Sequence, residues 1–111
     1  MHQLKQRLAN YTAALNRFDM DTVERMFAED AVYASPGLAS VIQGRAAIMA
    51  AFRAYFAKHP DQVNGDEDVR EEGRSVTARW TLRSSSSQRS GMQVIRFNEA
   101  GEIDRIDVTD D

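Results

Sequence analysis

The sequence has no cysteine, and only two prolines, two histidines and two lysines among its 111 residues. Without thiols there is no disulfide framework, no thiolate metal site and no cysteine nucleophile. His2 lies near the start of the chain and His59 precedes Pro60. Neither has a partner at metal-ligand spacing, so both read as surface histidines. No run approaches the roughly 18 apolar residues of a membrane-spanning helix, and the polar start MHQLKQRLAN is unlike a secretory leader. A soluble, cytoplasmic protein without a membrane partner is expected. A basic face is also lacking: the formal net charge is −3. Proteins that bind through phosphates need a positive surface, so nucleic acid is not an expected partner. What is present is ordinary for a folded chain: 42% hydrophobic and 28% charged residues. That excludes a disordered or fibrous protein and predicts one domain over residues 1–111.

Apolar residues at 4, 8, 11, 15 and 18 predict an amphipathic first helix of about four turns. Asp21 with Glu24 three residues later has the capping-box spacing and predicts a short second helix to about Ala28. Asp30 reads as a cap or turn residue. Val32 and Tyr33 predict a brief strand over 31–35, stopped by Pro36-Gly37. A loop then leads to Gly44 and Arg45, read as a turn and helix start. Ile48, Phe52, Tyr55 and Phe56 share a face of the third helix, which Pro60 ends. Beyond residue 60 the period changes to two. Strands are expected over 69–72, from Val76 to Arg83, from about Met92 to Phe97, and over 102–109. A polar connection over 84–91 and the turn Asn98-Glu99-Ala100-Gly101 join them. Met20, Met26, Met49 and Met92 read as core filler. Helices first and a meander last predict an α+β fold, a curved antiparallel sheet wrapped around three N-terminal helices. A sheet of that length closed by helices encloses an apolar cavity suited to a small ligand.

Several stretches then carry a resemblance. They are Tyr11, Asp19-Met20-Asp21, Met26-Phe27-Ala28-Glu29-Asp30-Ala31-Val32, Ser35-Pro36, Gly44-Arg45-Ala46-Ala47-Ile48, Arg79-Trp80 and Arg96-Phe97-Asn98-Glu99-Ala100-Gly101-Glu102-Ile103. In this order they resemble the nuclear transport factor 2-like superfamily, in its SnoaL-like and ketosteroid-isomerase-like branch. The resemblance covers roughly residues 4–109. It implies a cone-shaped, cystatin-like α+β barrel with a deep pocket, often a homodimer through the sheet. Arg79, Thr81 and Arg83 on the outer face of one strand suit such a dimer. The superfamily hosts many activities, so its fold does not choose a reaction.

Residue by residue, the ketosteroid isomerase resemblance implies an aspartate base, a tyrosine and a protonated aspartic acid. Tyr11 falls on the tyrosine, Ser35 on the base and Gln93 on the acid. The epoxide-hydrolase-like branch implies an Asp–Arg–Asp set. Arg79 falls on the arginine, but Thr81 and Val108 fall on the acids, and alternation turns Trp80 inward instead. For a SnoaL-like pocket acid the candidates are Asp104, Asp107 and Asp110, which read as solvated. The expected ligand wall is Tyr11, Tyr33, Ser35, Phe52, Tyr55, Trp80, Gln93 and Ile106, with Leu82 and Ile95 in the floor. Tyr11 is the catalytic candidate, as an oxyanion donor. These residues suit binding of a small apolar molecule carrying an oxygen. The alternatives are an isomerase, cyclase or lyase with another base, and a non-catalytic association module. No cofactor or metal is expected in any of these.

Overall fold

The stripe Leu4, Leu8, Tyr11 and Leu15 forms the buried face of α1 (Leu4–Asn16). The computed structural model describes residues 3–35, 41–85 and 87–111, so His2 and the expected Pro36-Gly37 turn lie outside the described residues. Phe18 does not continue the stripe. It follows the helix end with φ of 57°, is 42% exposed, and meets Phe56 edge-on with ring centroids 6.0 Å apart.

The cap of α2 (Met20–Met26) is Asp19, not Asp21. A capping residue must stand outside the helix with non-helical dihedrals, and Asp19 does. Its Oδ1 accepts from the Thr22 N–H at 3.2 Å and its Oδ2 from the Thr22 hydroxyl at 2.7 Å. Asp21 is already in the first turn, where an acid suits the helix dipole, and together with Glu24 it pairs with Arg53 of α3. The chain becomes extended sooner than the spacing of Val23, Met26 and Phe27 predicts. Strand β1 runs over Phe27–Ala34, and Asp30 within it is exposed rather than buried. The loop after β1 contributes a two-residue strand, β2 (Ile42–Gln43), that period alone does not reveal.

Gly44 precedes α3 (Arg45–Lys58) with φ of 95°, a region that penalises any side chain. Its N–H donates to the Ala31 carbonyl at 2.8 Å, tying the helix start to β1. Arg45 donates to the Phe27 carbonyl at 3.4 Å. Ile48, Met49, Phe52 and Phe56 form the buried face of α3.

The second half is a meander of β3 (Val63–Glu72), β4 (Ser75–Arg83), β5 (Gln88–Phe97) and β6 (Ile103–Asp110). Strand β3 begins six residues before the expected start and β5 about four. All six strands form one sheet in the order β2-β1-β6-β5-β4-β3. The fold is α+β as expected, with one change: β1 pairs with β6 in parallel, so the sheet is mixed rather than wholly antiparallel. Helix α1 packs on β3 and β4, α3 packs on β1 and β2, and α2 touches α1, α3 and β1. Opposite ends of the sheet are thus each covered by a helix. The core between them holds Leu8, Val23, Phe27, Ile48, Met49, Val76, Ile95, Ile103 and Ile106. Met92 is not core filler: it points out of the opposite sheet face and is exposed. No helix among the described residues is long and apolar enough to cross a membrane.

Candidate functional site

A cavity of about 310 Å³ opens between α1, α3 and the inner sheet face. Its walls differ. One is aromatic: Tyr33 of β1 with Phe52, Tyr55 and Phe56 of α3. Phe52 is the hub, edge-on to Tyr33 at 5.3 Å, to Phe27 at 5.9 Å and to Phe56 at 6.2 Å. The other is polar: Thr12 of α1, Asn64 and Asp66 of β3, and Gln93 of β5. Strand alternation explains the second group. Asp66 pairs with Trp80, and Ala78 with Gln93, so these positions share the inner face.

Asp66 is the acid of this wall, and the sequence reading did not find it. Thr12 Oγ1 donates to its Oδ2 at 2.5 Å, and Gln93 Nε2 donates to its Oδ1 at 2.9 Å. Burial pushes its carboxyl above the ordinary 3.8, against the opposing pull of those two donors. Tyr11 lines the same region, buried and edge-on to Phe27 at 6.1 Å. Its phenol is held well above 10, first by burial, then by the fields of Tyr33 and Asp66. Tyr33 is pushed up to about 12, chiefly by burial and then by Tyr55 and Asp110, with Arg89 opposing. Both phenols therefore stay protonated at neutral pH. Neither hydroxyl has a hydrogen-bond partner among the described residues. They can donate to an oxygen placed in the cavity.

The sheet floor is organised by Trp80. Its indole Nε1 donates to the carbonyls of Met92 and Thr109, at 3.1 Å each. The ring reaches across β5 because Gly91 stands opposite it. A Cβ on Gly91 would meet the Thr109 carbonyl oxygen at 1.9 Å and Trp80 Cζ2 at 2.8 Å. At the exposed rim, Arg89 lies 5.8 Å from the Trp80 ring centroid and pairs with Asp110 at 2.9 Å. Asp110 thus lines the cavity rim as an exposed acid, paired with Arg89. Asp104 and Asp107 pair with Arg96 and Arg105 instead, and neither lines the cavity. Arg79 points away, to Asp111.

Of the residues expected from sequence, the fold brings Tyr11, Tyr33, Ser35, Phe52, Tyr55, Trp80, Leu82 and Gln93 to the cavity lining. Ile106 is a correction. It is fully buried, sits opposite both Ile95 and Tyr33 across the sheet, and belongs with Ile95 to the core beneath. Among the residues missed are Thr12, Gln62, Asn64 and Asp66 of the polar side. Among the described residues no group of three or more His, Asp or Glu is placed to hold a metal.

The profile of the SnoaL-like domain family matches residues 8–106. No curated protein matches the sequence. Solved structures share the fold at low identity. An NTF2-like protein of unknown function from Cytophaga hutchinsonii superposes with a TM-score of 0.83 at 15% identity, over 100% of this chain and 92% of that one. A proposed isomerase of the SnoaL-like family from Agrobacterium tumefaciens gives 0.78 at 22%, over 96% of each chain. SalBIII, an epoxide hydrolase/cyclase-like enzyme with a role in pyran ring formation in salinomycin, gives 0.84 at 21%, over 96% and 89%. Another structure of this kind is described as having a cystatin-like fold.

Proposed function

This chain belongs to the SnoaL-like domain family, and on that premise we propose that its cavity binds a small, largely apolar molecule carrying an oxygen. The observation that carries this reading is the unpartnered Tyr11 hydroxyl on a cavity walled by aromatic rings. Apolar surface supplies the affinity, and a single neutral donor fixes orientation. The ligand oxygen accepts from Tyr11 without the cost of displacing an existing bond. Trp80 is the one tryptophan of the chain and lines the cavity, so its fluorescence reports occupancy. Titration with the bicyclic ketone 2-decalone is expected to change that emission saturably. Tyr11→Phe is expected to weaken binding by about tenfold, one neutral hydrogen bond. No response up to the solubility limit of the ketone would remove this reading.

Asp66 favours a second reading, that the pocket acts as an enzyme of the isomerase, cyclase or lyase kind. A carboxyl raised by burial is a better base than a solvated one. In this reading the Asp66 carboxylate takes a proton from the carbon beside a ligand carbonyl. The electron pair moves onto the carbonyl oxygen, Tyr11 donates to the resulting oxyanion, and Asp66 returns the proton to carbon. No cofactor takes part. The step exchanges carbon-bound hydrogen with solvent, so deuterium entering 2-decalone in heavy water follows it by NMR. Exchange that is no faster with the wild type than with Asp66→Asn would leave binding alone.

The third reading, a homodimer through the sheet, is supported by Met92 and Val94, both exposed on the outer face of β5. Val94→Lys is expected to convert a dimer to monomer in light scattering. A wild type that is monomeric at high concentration would exclude it.

A further inference from the structure

Gln62 is the cavity residue whose chemistry is unspent. It stands between α3 and β3, only 5% exposed, and lines the cavity. The Tyr55 hydroxyl donates to its Oε1 at 2.9 Å, which fixes one end of the amide. The other end, Nε2, is buried without a hydrogen-bond partner among the described residues. Buried amide donors without an acceptor are rare in folded proteins because desolvation is left uncompensated. A leucine would fill a similar volume with no such penalty.

Its place one residue before β3 gives the orphan donor a direction. Gln62 lines the cavity together with Asn64 and Asp66, which alternate on the inner face of β3. Three residues lie between Gln62 and Asp66, which sets the two at most roughly 13 Å apart along the backbone. Asp66 marks the Tyr11 end through its bond to Thr12. Tyr11 and Gln62 are therefore donors at two ends of one chamber.

We propose that Gln62 is a second polar anchor, whose Nε2 donates to an acceptor oxygen at the far end of the ligand. The ligand class is then an apolar skeleton with two oxygen functions rather than one. The inference deepens the binding reading of the cavity and rests on it.

The test uses 2-decalone and decalin-2,6-dione, two probes of one skeleton that differ in a second, acceptor-only oxygen. Each is titrated against the wild type and Gln62→Leu, with thermal unfolding of both proteins measured without probe. Gln62→Leu is expected to bind 2-decalone within about twofold of the wild type. Its ratio of dione to monoketone affinity is expected to fall about tenfold, the loss of one hydrogen bond. Without probe its melting temperature is expected to equal or exceed that of the wild type. The variant removes an unpaired donor, and the half-exposed Tyr55 hydroxyl can turn to water. An unchanged ratio with both ketones bound overturns the proposal and leaves the binding reading intact. A lower melting temperature also overturns it, since the amide is then held by the fold rather than waiting for a ligand. Failure of 2-decalone to bind the wild type overturns the binding reading and this one together.

Discussion

The α3–β1 wall of the cavity keeps its shape by packing, whereas the α1–β3 wall keeps its shape by hydrogen bonds at exposed and half-buried positions. On the first, Phe52 joins Tyr33, Phe27 and Phe56 edge-on, with no polar contact between them. On the second, α1 is laced to β3 at three levels. The Lys5 N–H donates to Glu71 at 3.0 Å, Thr12 donates to Asp66, and Asn16 exchanges bonds with Asn64. The aromatic wall gains free energy simply by excluding water. The polar wall gains little net free energy from its bonds, because water competes for the same groups. What it gains is position: Thr12 and Gln93 both donate to Asp66 and hold it facing the cavity. A ligand would meet affinity on one side and chemistry on the other.

That contrast can be broken. The largest effect is expected from Phe52→Ala, which removes the hub of the aromatic wall and should cost about 3–5 kcal/mol in denaturant unfolding. A cost under about 1 kcal/mol would mean that the wall does not carry stability. Thr12→Val keeps the volume and removes one donor to Asp66. It should cost about 1.5 kcal/mol, near the lower bound for a bond to a charged group. It should also raise the Asp66 pKa further, since the lost bond favours the charged form; NMR titration of the carboxyl carbon reads that shift. Asp66→Asn should change stability least, and in a pH-dependent direction. Burial raises the folded-state pKa above 3.8, so the folded protein binds a proton more readily than the unfolded chain. The penalty is absent below the ordinary pKa and complete above the raised one. The variant should therefore gain on the wild type as pH rises through the window just above 3.8 and keep that gain at pH 7. A variant that loses ground over the same rise would show that the carboxylate is stabilised, not strained, in its place.

The two walls were also unequally legible in the sequence. The aromatic wall announces itself, because Ile48, Phe52 and Phe56 keep helical spacing and Tyr33 lies in a β-prone run. The polar wall does not. Residues 61–68, DQVNGDED, show no apolar alternation, and a strand is expected only from Val69. Their inner positions face a cavity rather than the core, so Gln62, Asn64 and Asp66 lack the apolar alternation by which a strand is recognised. A Thr at 12, one residue after an apolar stripe position, is likewise indistinguishable from a solvent-facing one. The sequence shows that a second helix exists but sets it about two residues late, because Asp19 and Asp21 both precede suitable partners and only backbone geometry separates them. The Phe27 start of β1 was hidden by its helical spacing from Val23. Asp110 had the right parity, and only its pairing with Arg89 on a neighbouring strand shows it at the rim.

The parallel pairing of β1 with β6 also decides when this molecule can exist. Residues 27–34 must wait for residues 103–110, since β6 is the strand that joins β1 and β2 to the rest of the sheet. During synthesis the three helices and the β3–β5 meander emerge first, linked through α1 but with no strand to join β1 and β2 to the meander in one sheet. Such distant pairing slows folding, because a long loop must close before its contacts form. The chamber is assembled last, by the strand that leaves the ribosome after every other described element.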